Sequence, residues 1–359
     1  ARGDLATAEA GHLEALAAFE RLAASEPANA GWRRDLSVSH DRIGDVRRAQ
    51  GDLAGALAAY EAGLAIREEL AASDPESAGW RRDLSVSHEK IGDVRRAQGD
   101  LARALAAYEA SHAILEELAA SDPANAGWQR DLSVSHNKIG DMRREQGDLA
   151  GALAAYEASH AIFEELAASD PDNAGWQRDL SVSHNKIGDM RREQGDLAGA
   201  LAAYEASHAI FEELAASDPD NAGWQRDLSV SHDRIGDVRR DQGDLAGALA
   251  AYEADLAIAE ELAASDPDNA GWQRDLSVSH NKIGDVRRDQ GDLAGALAAY
   301  EAGLAIRDEL AAADPDNAGW RRDLIVSHAK LAFVAVDQGR IQAARRRYGL
   351  AIQIADDLA

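Results

Sequence analysis

Tryptophan recurs at a fixed interval along the whole chain. The 359 residues contain seven tryptophans, and neighbouring ones are 48 residues apart at every step. They stand at Trp32, Trp80, Trp128, Trp176, Trp224, Trp272 and Trp320. The segments between them are close copies, and residues 128–175 and 176–223 are identical at every position. A repeat of this length is typical of arrays in which each unit buries its apolar face only against its neighbours.

Each repeat contains two segments with the apolar period of an α-helix. In the repeat that begins at Trp128, the first stripe, on helix A, consists of Trp128, Leu132, Ser135, Ile139 and Met142. The second stripe, on helix B, consists of Leu149, Leu153, Tyr156, His160 and Phe163. No segment alternates with period two over the length of a strand. The chain is therefore predicted to be all-α.

Short connections separate the two helices and the successive repeats. Gly147 can take the left-handed conformation that ends helix A, and Asp148 can accept from the free N–H groups that begin helix B. Helices joined by so tight a turn must be antiparallel neighbours. Pro171 is predicted to follow the end of helix B, and Asn173 to cap the next helix A.

The repeats define the organisation of the chain. Residues 1–31 match helix B alone, residues 32–319 form six full repeats, and residues 320–359 form a last helix pair. We therefore predict an α-solenoid with one orphan helix B and seven antiparallel pairs, in a single domain over 1–359. Arg345 stands where Leu153 stands earlier, which is typical of a capping repeat. We interpret the chain as the C-terminal part of a longer protein, although near-identical repeats are also typical of a consensus design.

Composition narrows the classes of partner. The 38 Lys and Arg residues face 64 Asp and Glu residues, which gives a net charge of −26. Nucleic acids and anionic membranes bind to basic surfaces, so neither is an expected partner. The absence of cysteine excludes disulfides and thiolate sites and is compatible with a reducing cytoplasm, where we expect the protein to act.

A helix-turn-helix signature runs through the repeats. Its residues are Ile139-Gly140, Gln146-Gly147-Asp148-Leu149, Ala152, Tyr156 and Ile162. In order and spacing they resemble the signature of the tetratricopeptide repeat (TPR) family. His136 and Arg143 differ from that pattern, in which aromatic residues are usual, and the repeat is longer than the family's period of about 34 residues. The resemblance implies a right-handed superhelix whose concave wall, lined by helix A, binds peptides or protein surfaces without catalysis.

The strongest candidate site is this concave wall. By resemblance, polar residues of helix A project from it and stack as ladders between neighbouring repeats. They are Asn137, Asp141, Arg144, Glu145, Asn185, Asp189, Arg192, Glu193, Asp237 and Arg240. Two interpretations are open: the ladders contact a ligand, or their opposite charges only neutralise one another on a solvated face.

The last pair interrupts these ladders with apolar residues. Phe333 replaces the aspartate, Val336 replaces the arginine and Ala329 replaces the asparagine. Exposed apolar patches often mark docking sites, so Phe333 and Val336 form a second candidate. The alternative is that Phe333 is buried against its own neighbours.

Histidine and serine also recur, but neither forms a recognisable chemical motif. Seven histidines share the helix A position of His136, and three share the helix B position of His160. We expect these histidines to pack or form hydrogen bonds, because no acidic residue shares their stripe and equivalent copies lie about 10 Å apart. Ser135 and His136 are adjacent on a helix and cannot face each other as a hydrolase pair requires.

The sequence predicts an interaction scaffold with no enzymatic activity, cofactor or metal, and with a protein or peptide partner. Long, near-identical repeats of this kind resemble those of bacterial multidomain signalling or defence proteins, so we expect a recognition arm of such a protein. The alternative is an architectural array whose copies associate end to end through the uncovered N-terminal helix.

Overall fold

The computed structural model describes residues 2–358, which form fifteen α-helices and contain no strand. The helices are α1 (Arg2–Ser25), α2 (Ala30–Gln50), α3 (Leu53–Ser73), α4 (Ala78–Ala97), α5 (Leu101–Ser121), α6 (Ala126–Glu145), α7 (Leu149–Ser169), α8 (Ala174–Glu193), α9 (Leu197–Ser217), α10 (Ala222–Asp241), α11 (Leu245–Ser265), α12 (Ala270–Asp289), α13 (Leu293–Ala313), α14 (Ala318–Asp337) and α15 (Ile341–Asp356). Even-numbered helices are the predicted helices A, and odd-numbered helices are the predicted helices B. They fall into two compact units, of which the first ends at Trp176 and the second begins at Gln177. The interpretation of 1–359 as one domain stays a prediction.

The turn within each pair has the predicted geometry. Gly147 has a φ of 82°, and the N–H of Asp148 donates to the carbonyl of Arg143 at 2.9 Å. The Asp148 carboxylate then accepts from the N–H of Gly151 at 2.9 Å and caps α7. Because only a few residues connect the helices, α6 and α7 are antiparallel neighbours.

The connection between repeats also follows the prediction. Helix α7 ends at Ser169, directly before Asp170 and Pro171. The Asn173 side chain accepts from the N–H of Gly175 at 3.1 Å and of Trp176 at 3.2 Å, so it caps α8. The predicted helix ends at Gly147, Asp148, Pro171 and Asn173 are therefore confirmed.

A tyrosine of each full-repeat helix B forms the centre of the packing. In the second unit, Tyr252 is fully buried and lies against Gly236 of its own helix A. Its ring also belongs to a cluster with Ile283 and Val286 of the following helix A, α12. The equivalent tyrosine of the first unit, Tyr108, packs with Ile139 and Met142 of α6 in the same way. One side chain therefore joins two helix pairs, and the glycine provides the space for its ring.

Buried polar residues distinguish individual repeats. Arg67 of α3 is 4% exposed and donates to the Asp41 carboxylate at 2.7 Å, so its charge is compensated. Asp255 of α11 is 5% exposed and accepts from the Ser229 hydroxyl. Burial raises the pKa of Asp255 to about 6, although hydrogen bonds from serine hydroxyls oppose this shift. The charge of Asp233 also raises the pKa of Asp255, and the charge of Lys282 lowers it.

Replacing Asp255 with serine is expected to stabilise the protein at pH 8. Ser207 occupies the equivalent buried position, so serine fits there. The folded-state pKa of about 6 exceeds the unfolded value of about 3.9, so the stability of the parent falls as pH rises from about 4 to about 6. We expect Asp255→Ser to gain about 1 to 2 kcal/mol in free energy of unfolding at pH 8 and much less at pH 4. Urea titrations at both pH values measure the gain, and an equal gain at both would contradict this origin.

Candidate partner-binding wall

One face of each helix A carries four residues at helical spacing. In α10 these are Arg226, Val230, Asp237 and Arg240, and the corresponding positions of successive helices A adjoin within each unit. We call this surface the helix A wall. In the first unit it comprises α2, α4 and α6, and in the second unit α8, α10, α12 and α14. The sequence-predicted site residues lie on or beside it.

The aspartate near the middle of the wall is held by its neighbours. Asp237 accepts from the Tyr252 hydroxyl at 2.7 Å, from the Lys282 ammonium at 2.6 Å and from Arg192 at 3.2 Å. Burial alone would raise the pKa of Asp237, but the charge and hydrogen bonds of Lys282 outweigh it and lower the pKa overall. The carboxylate is therefore ionised and fixed. Asp141 and Asp189 each accept from the tyrosine of their own helix pair at 2.6 Å.

Two rows of ion pairs border this central aspartate. In the first row, Arg178 pairs with Asp227 at 2.8 Å and Arg226 pairs with Asp275 at 2.7 Å. In the second row, the second-unit pairs are Arg192 with Asp241, Arg240 with Asp289, and Arg288 with Asp337, at 2.6, 2.6 and 2.5 Å. The first unit has the same second-row pairing between Arg96 and Glu145. The charges of the ladder thus compensate one another between adjacent helices, and both interpretations of the ladder stay predictions.

The predicted asparagines are less accessible than the charged residues. The side-chain oxygens of Asn137 and Asn185 are buried and have no hydrogen-bond partner. These two atoms reach a ligand only after a rotamer change. Arg144 and Glu193 lie near the C-terminal ends of α6 and α8, at the second-row positions.

A row of valines runs between the two rows of ion pairs. Val182, Val230 and Val326 are 37, 39 and 41% exposed, and Val38 of the first unit is 37% exposed. The prediction from sequence did not include the first row of arginines. Its signal was available, because Arg226 precedes Val230 by four residues and therefore shares its face.

The apolar residues of α14 are exposed on the same face. Phe333 and Val336 are each 44% exposed, so the alternative in which Phe333 is buried is wrong. The Arg288 guanidinium lies 5.4 Å from the centroid of the Phe333 ring, and the Tyr348 ring lies 6.1 Å from it at a steep angle. At α14 the wall therefore changes from paired charges to an apolar surface.

Histidines of helix B lie against histidines of the following helix A, as at His112 and His208. The rings of His112 and His136 are 4.4 Å apart, and Nδ1 of His112 lies 2.8 Å from the Ser135 hydroxyl. Ser135 is 1% exposed and donates to the Leu132 carbonyl, so its hydroxyl is not accessible to a substrate. Within residues 2–358 no group of three or more acidic or histidine side chains is arranged to hold a metal ion.

Comparisons with solved structures identify the fold. The chain is similar to the crystal structure of BtubC (BKLC) from P. vanneervenii, with 19% identity and a TM-score of 0.55 over 71% of this chain and 90% of that chain. It is also similar to the apo form of RapI, with 13% identity and a TM-score of 0.55 over 89% of this chain and 97% of that chain. The match to TPR-like repeats of a Podosopora anserina putative kinesin light chain has 17% identity and a TM-score of 0.45 over 64% and 97% of the two chains. No family model and no curated protein matches the chain.

The chain thus has a TPR-like, all-α solenoid fold, as predicted from its signature. At these identities the likeness concerns the fold and not the partner. Among the helices of residues 2–358, none combines the length and the apolar character needed to cross a membrane.

Proposed function

We propose that this chain is a protein-interaction scaffold without catalytic activity, which binds a peptide or the surface of a folded protein on its helix A wall. The observation that carries the proposal is the row of exposed valines between two rows of ion pairs. Protein interfaces combine an apolar centre with a polar rim, and this wall has that arrangement. We place its function in the cytoplasm, as the recognition arm of a larger bacterial signalling or defence protein.

The paired charges determine what kind of recognition the wall supports. The arginines and carboxylates of the wall bind each other, so they exert little long-range attraction on an oppositely charged ligand. They are also fixed by their neighbours, which reduces the side-chain entropy that is lost on binding. Selectivity then comes from apolar contact with Val182, Val230 and Val326 and from the remaining hydrogen-bonding capacity of the two rows. Phe333 and Val336 extend the apolar row on α14.

A matched pair of variants tests this proposal. The wall variant carries Val182→Glu, Val230→Glu and Val326→Glu, whereas the control carries Ala198→Glu, Ala246→Glu and Ala257→Glu on exposed positions of helices B. Both add the same charge to the second unit. In affinity capture from the lysate of the source cell, we expect the parent and the control to retain the same partner, and the wall variant to lose at least nine-tenths of it. Equal retention by the wall variant would exclude the wall as the binding surface.

Self-association is the second candidate function. Its support is that Leu13 and Leu22 of α1 are 43 and 37% exposed, which provides an apolar surface for another copy. Sedimentation equilibrium over a hundredfold range of concentration distinguishes the two functions. A constant monomer mass favours the scaffold, and a mass that rises with concentration favours the array.

A further inference from the structure

One arginine of helix A is replaced in the last pair. Six helices A carry an arginine at this position, which are Arg47, Arg95, Arg143, Arg191, Arg239 and Arg287, but α14 carries Ala335. Several of these arginines reach a glutamate of the preceding helix B. Arg95 pairs with Glu61 at 3.2 Å, and Arg239 and Arg287 pair with Glu205 and Glu253 at 3.4 Å each. The arginine side chain therefore fills the groove between consecutive helices B.

The alanine leaves this groove open at α14. A cavity of about 310 Å³ lies between α13 and α15, with Leu297, Leu331, Ala335 and Leu350 among its lining residues. Glu301, which corresponds to Glu253, also lines it. Ala335 is too short to reach Glu301 as Arg287 reaches Glu253. The volume is within the range of about 300 to 1,000 Å³ that is typical of ligand pockets.

The charge at this cavity is opposite to that of the chain as a whole. Arg340, Arg346 and Arg347 line it, against the single carboxylate of Glu301. Arg340 donates to the Gln338 side chain at 3.3 Å, and Arg347 lies 3.5 Å from Nδ1 of His328, so neither of these contacts is with a carboxylate. The arginines attract an acidic ligand, and because the chain as a whole has a net charge of −26 and repels such a ligand, binding is directed to this cluster.

We infer that the cavity between α13 and α15 is a second binding site, which takes a peptide segment with a large apolar side chain flanked by Asp or Glu. The apolar side chain enters the space that Ala335 leaves, over Leu331 and Leu350. The flanking carboxylates pair with Arg340, Arg346 and Arg347 at the rim. Arginine suits this role because its guanidinium binds carboxylates through two parallel hydrogen bonds.

This site is distinct from the helix A wall. Leu331 and Ala335 are 2 and 7% exposed and face the cavity, whereas Phe333 and Val336 of the same helix are each 44% exposed and face the wall. The inference therefore goes beyond the proposed function, and either can fail without the other.

The repeats provide the variant that tests the cavity. Arg95 shows that arginine fits at this position when its own helix B carries a side chain there, since Arg103 stands where the last pair has Ala343. We therefore expect Ala335→Arg to fold like the parent. The guanidinium fills the cavity and pairs with Glu301. Arg346→Glu reverses one charge of the rim, and Ala257→Arg on an exposed side of α11 is the control, because it adds the same residue as Ala335→Arg away from the cavity and the wall.

The probe is a fluorescein-labelled peptide of sequence Glu-Glu-Phe-Leu-Glu-Glu, with the same peptide carrying Lys in place of Glu as its counterpart. By fluorescence anisotropy, the parent and Ala257→Arg are expected to bind the acidic peptide with equal affinity. Ala335→Arg and Arg346→Glu are expected to weaken this binding at least tenfold, and the basic peptide is expected to bind the parent at least tenfold more weakly. Absence of binding to the parent at 1 mM peptide, unchanged affinity of Ala335→Arg, or equal binding of the basic peptide would each overturn the inference. Circular dichroism of Ala335→Arg confirms that a loss of binding is not a loss of fold.

Discussion

Replacing Gly236 with alanine is expected to lower the free energy of unfolding by about 1 to 3 kcal/mol, despite the better helix propensity of alanine. An added Cβ would lie 2.5 Å from Cε1 of Tyr252. The ring cannot move away easily, because it is fully buried and its hydroxyl is bound to Asp237 at 2.7 Å. Urea unfolding followed by circular dichroism measures the loss.

The control for this substitution is Gly349→Ala in α15. No atom lies within 4 Å of a Cβ placed there, so this variant is expected to be as stable as the parent or up to about 1 kcal/mol more stable. In the last pair, Ala332 occupies the position of Gly236, and Tyr348 occupies the position of Tyr252. Tyr348 is only partly buried, so the tyrosine is fully buried where the facing residue is glycine and not where it is alanine. A Gly236→Ala protein as stable as the parent would show that the tyrosine and the glycine are not in tight contact.

Acid is expected to destabilise the contact between repeats at which two histidines pack together. The rings of His208 and His232 are 4.4 Å apart, and Nδ1 of His208 lies 2.8 Å from the Ser231 hydroxyl. Burial, reinforced by His208, lowers the pKa of His232 to about 4, against a small opposing effect of Glu212. Burial also lowers the pKa of His208, although Glu212 and Glu205 oppose it.

Stability falls as pH falls because the unfolded chain binds the proton at a higher pH than the folded protein does. The unfolded chain takes up a proton on each histidine near pH 6.5, whereas the folded protein resists protonation of His232 until about pH 4. The stabilising contribution is therefore complete above about pH 6.5 and is lost as pH falls towards 4. Because the rings are only half-buried, we expect this pair to contribute about 1 to 2 kcal/mol of the loss between pH 7.5 and 4.5.

His208→Leu is the matched variant, since Leu256 occupies the equivalent position in the next repeat. Carboxylates also titrate in this range, but their effect is common to both proteins and cancels in the comparison. Urea unfolding at pH 7.5 and 4.5 should show a smaller loss in the variant than in the parent. An equal loss in both proteins would exclude the histidine pair as its source.

The local structure could be predicted because its causes are local. The turn at Gly147 and Asp148 and the cap at Asn173 depend on residues within a few positions of each other, and the sequence repeats them in every unit. The number of helices followed from the tryptophan spacing.

The site was predicted less completely because its contacts link residues 45 or 49 positions apart. The contacts of Arg226 with Asp275 and of Arg192 with Asp237 depend on the relative placement of successive helices, which helical periodicity does not determine. For the same reason the sequence did not place His112 beside His136. The sequence did signal the cavity at Ala335, because six of the seven helices A carry an arginine at this position. The sequence alone does not show where that arginine lies, and the contacts of Arg239 with Glu205 and of Arg287 with Glu253 were needed to locate the cavity.

The most direct test of the proposed function is site-specific photo-crosslinking to the captured partner. A photoreactive amino acid is placed at Val230 on the wall or at Ala257 on an exposed side of helix B, and each protein is irradiated in complex with the partner that the parent retains. We predict a covalent product from position 230 and none from position 257. Crosslinking from 257 alone, or equally from both positions, would contradict binding on the helix A wall.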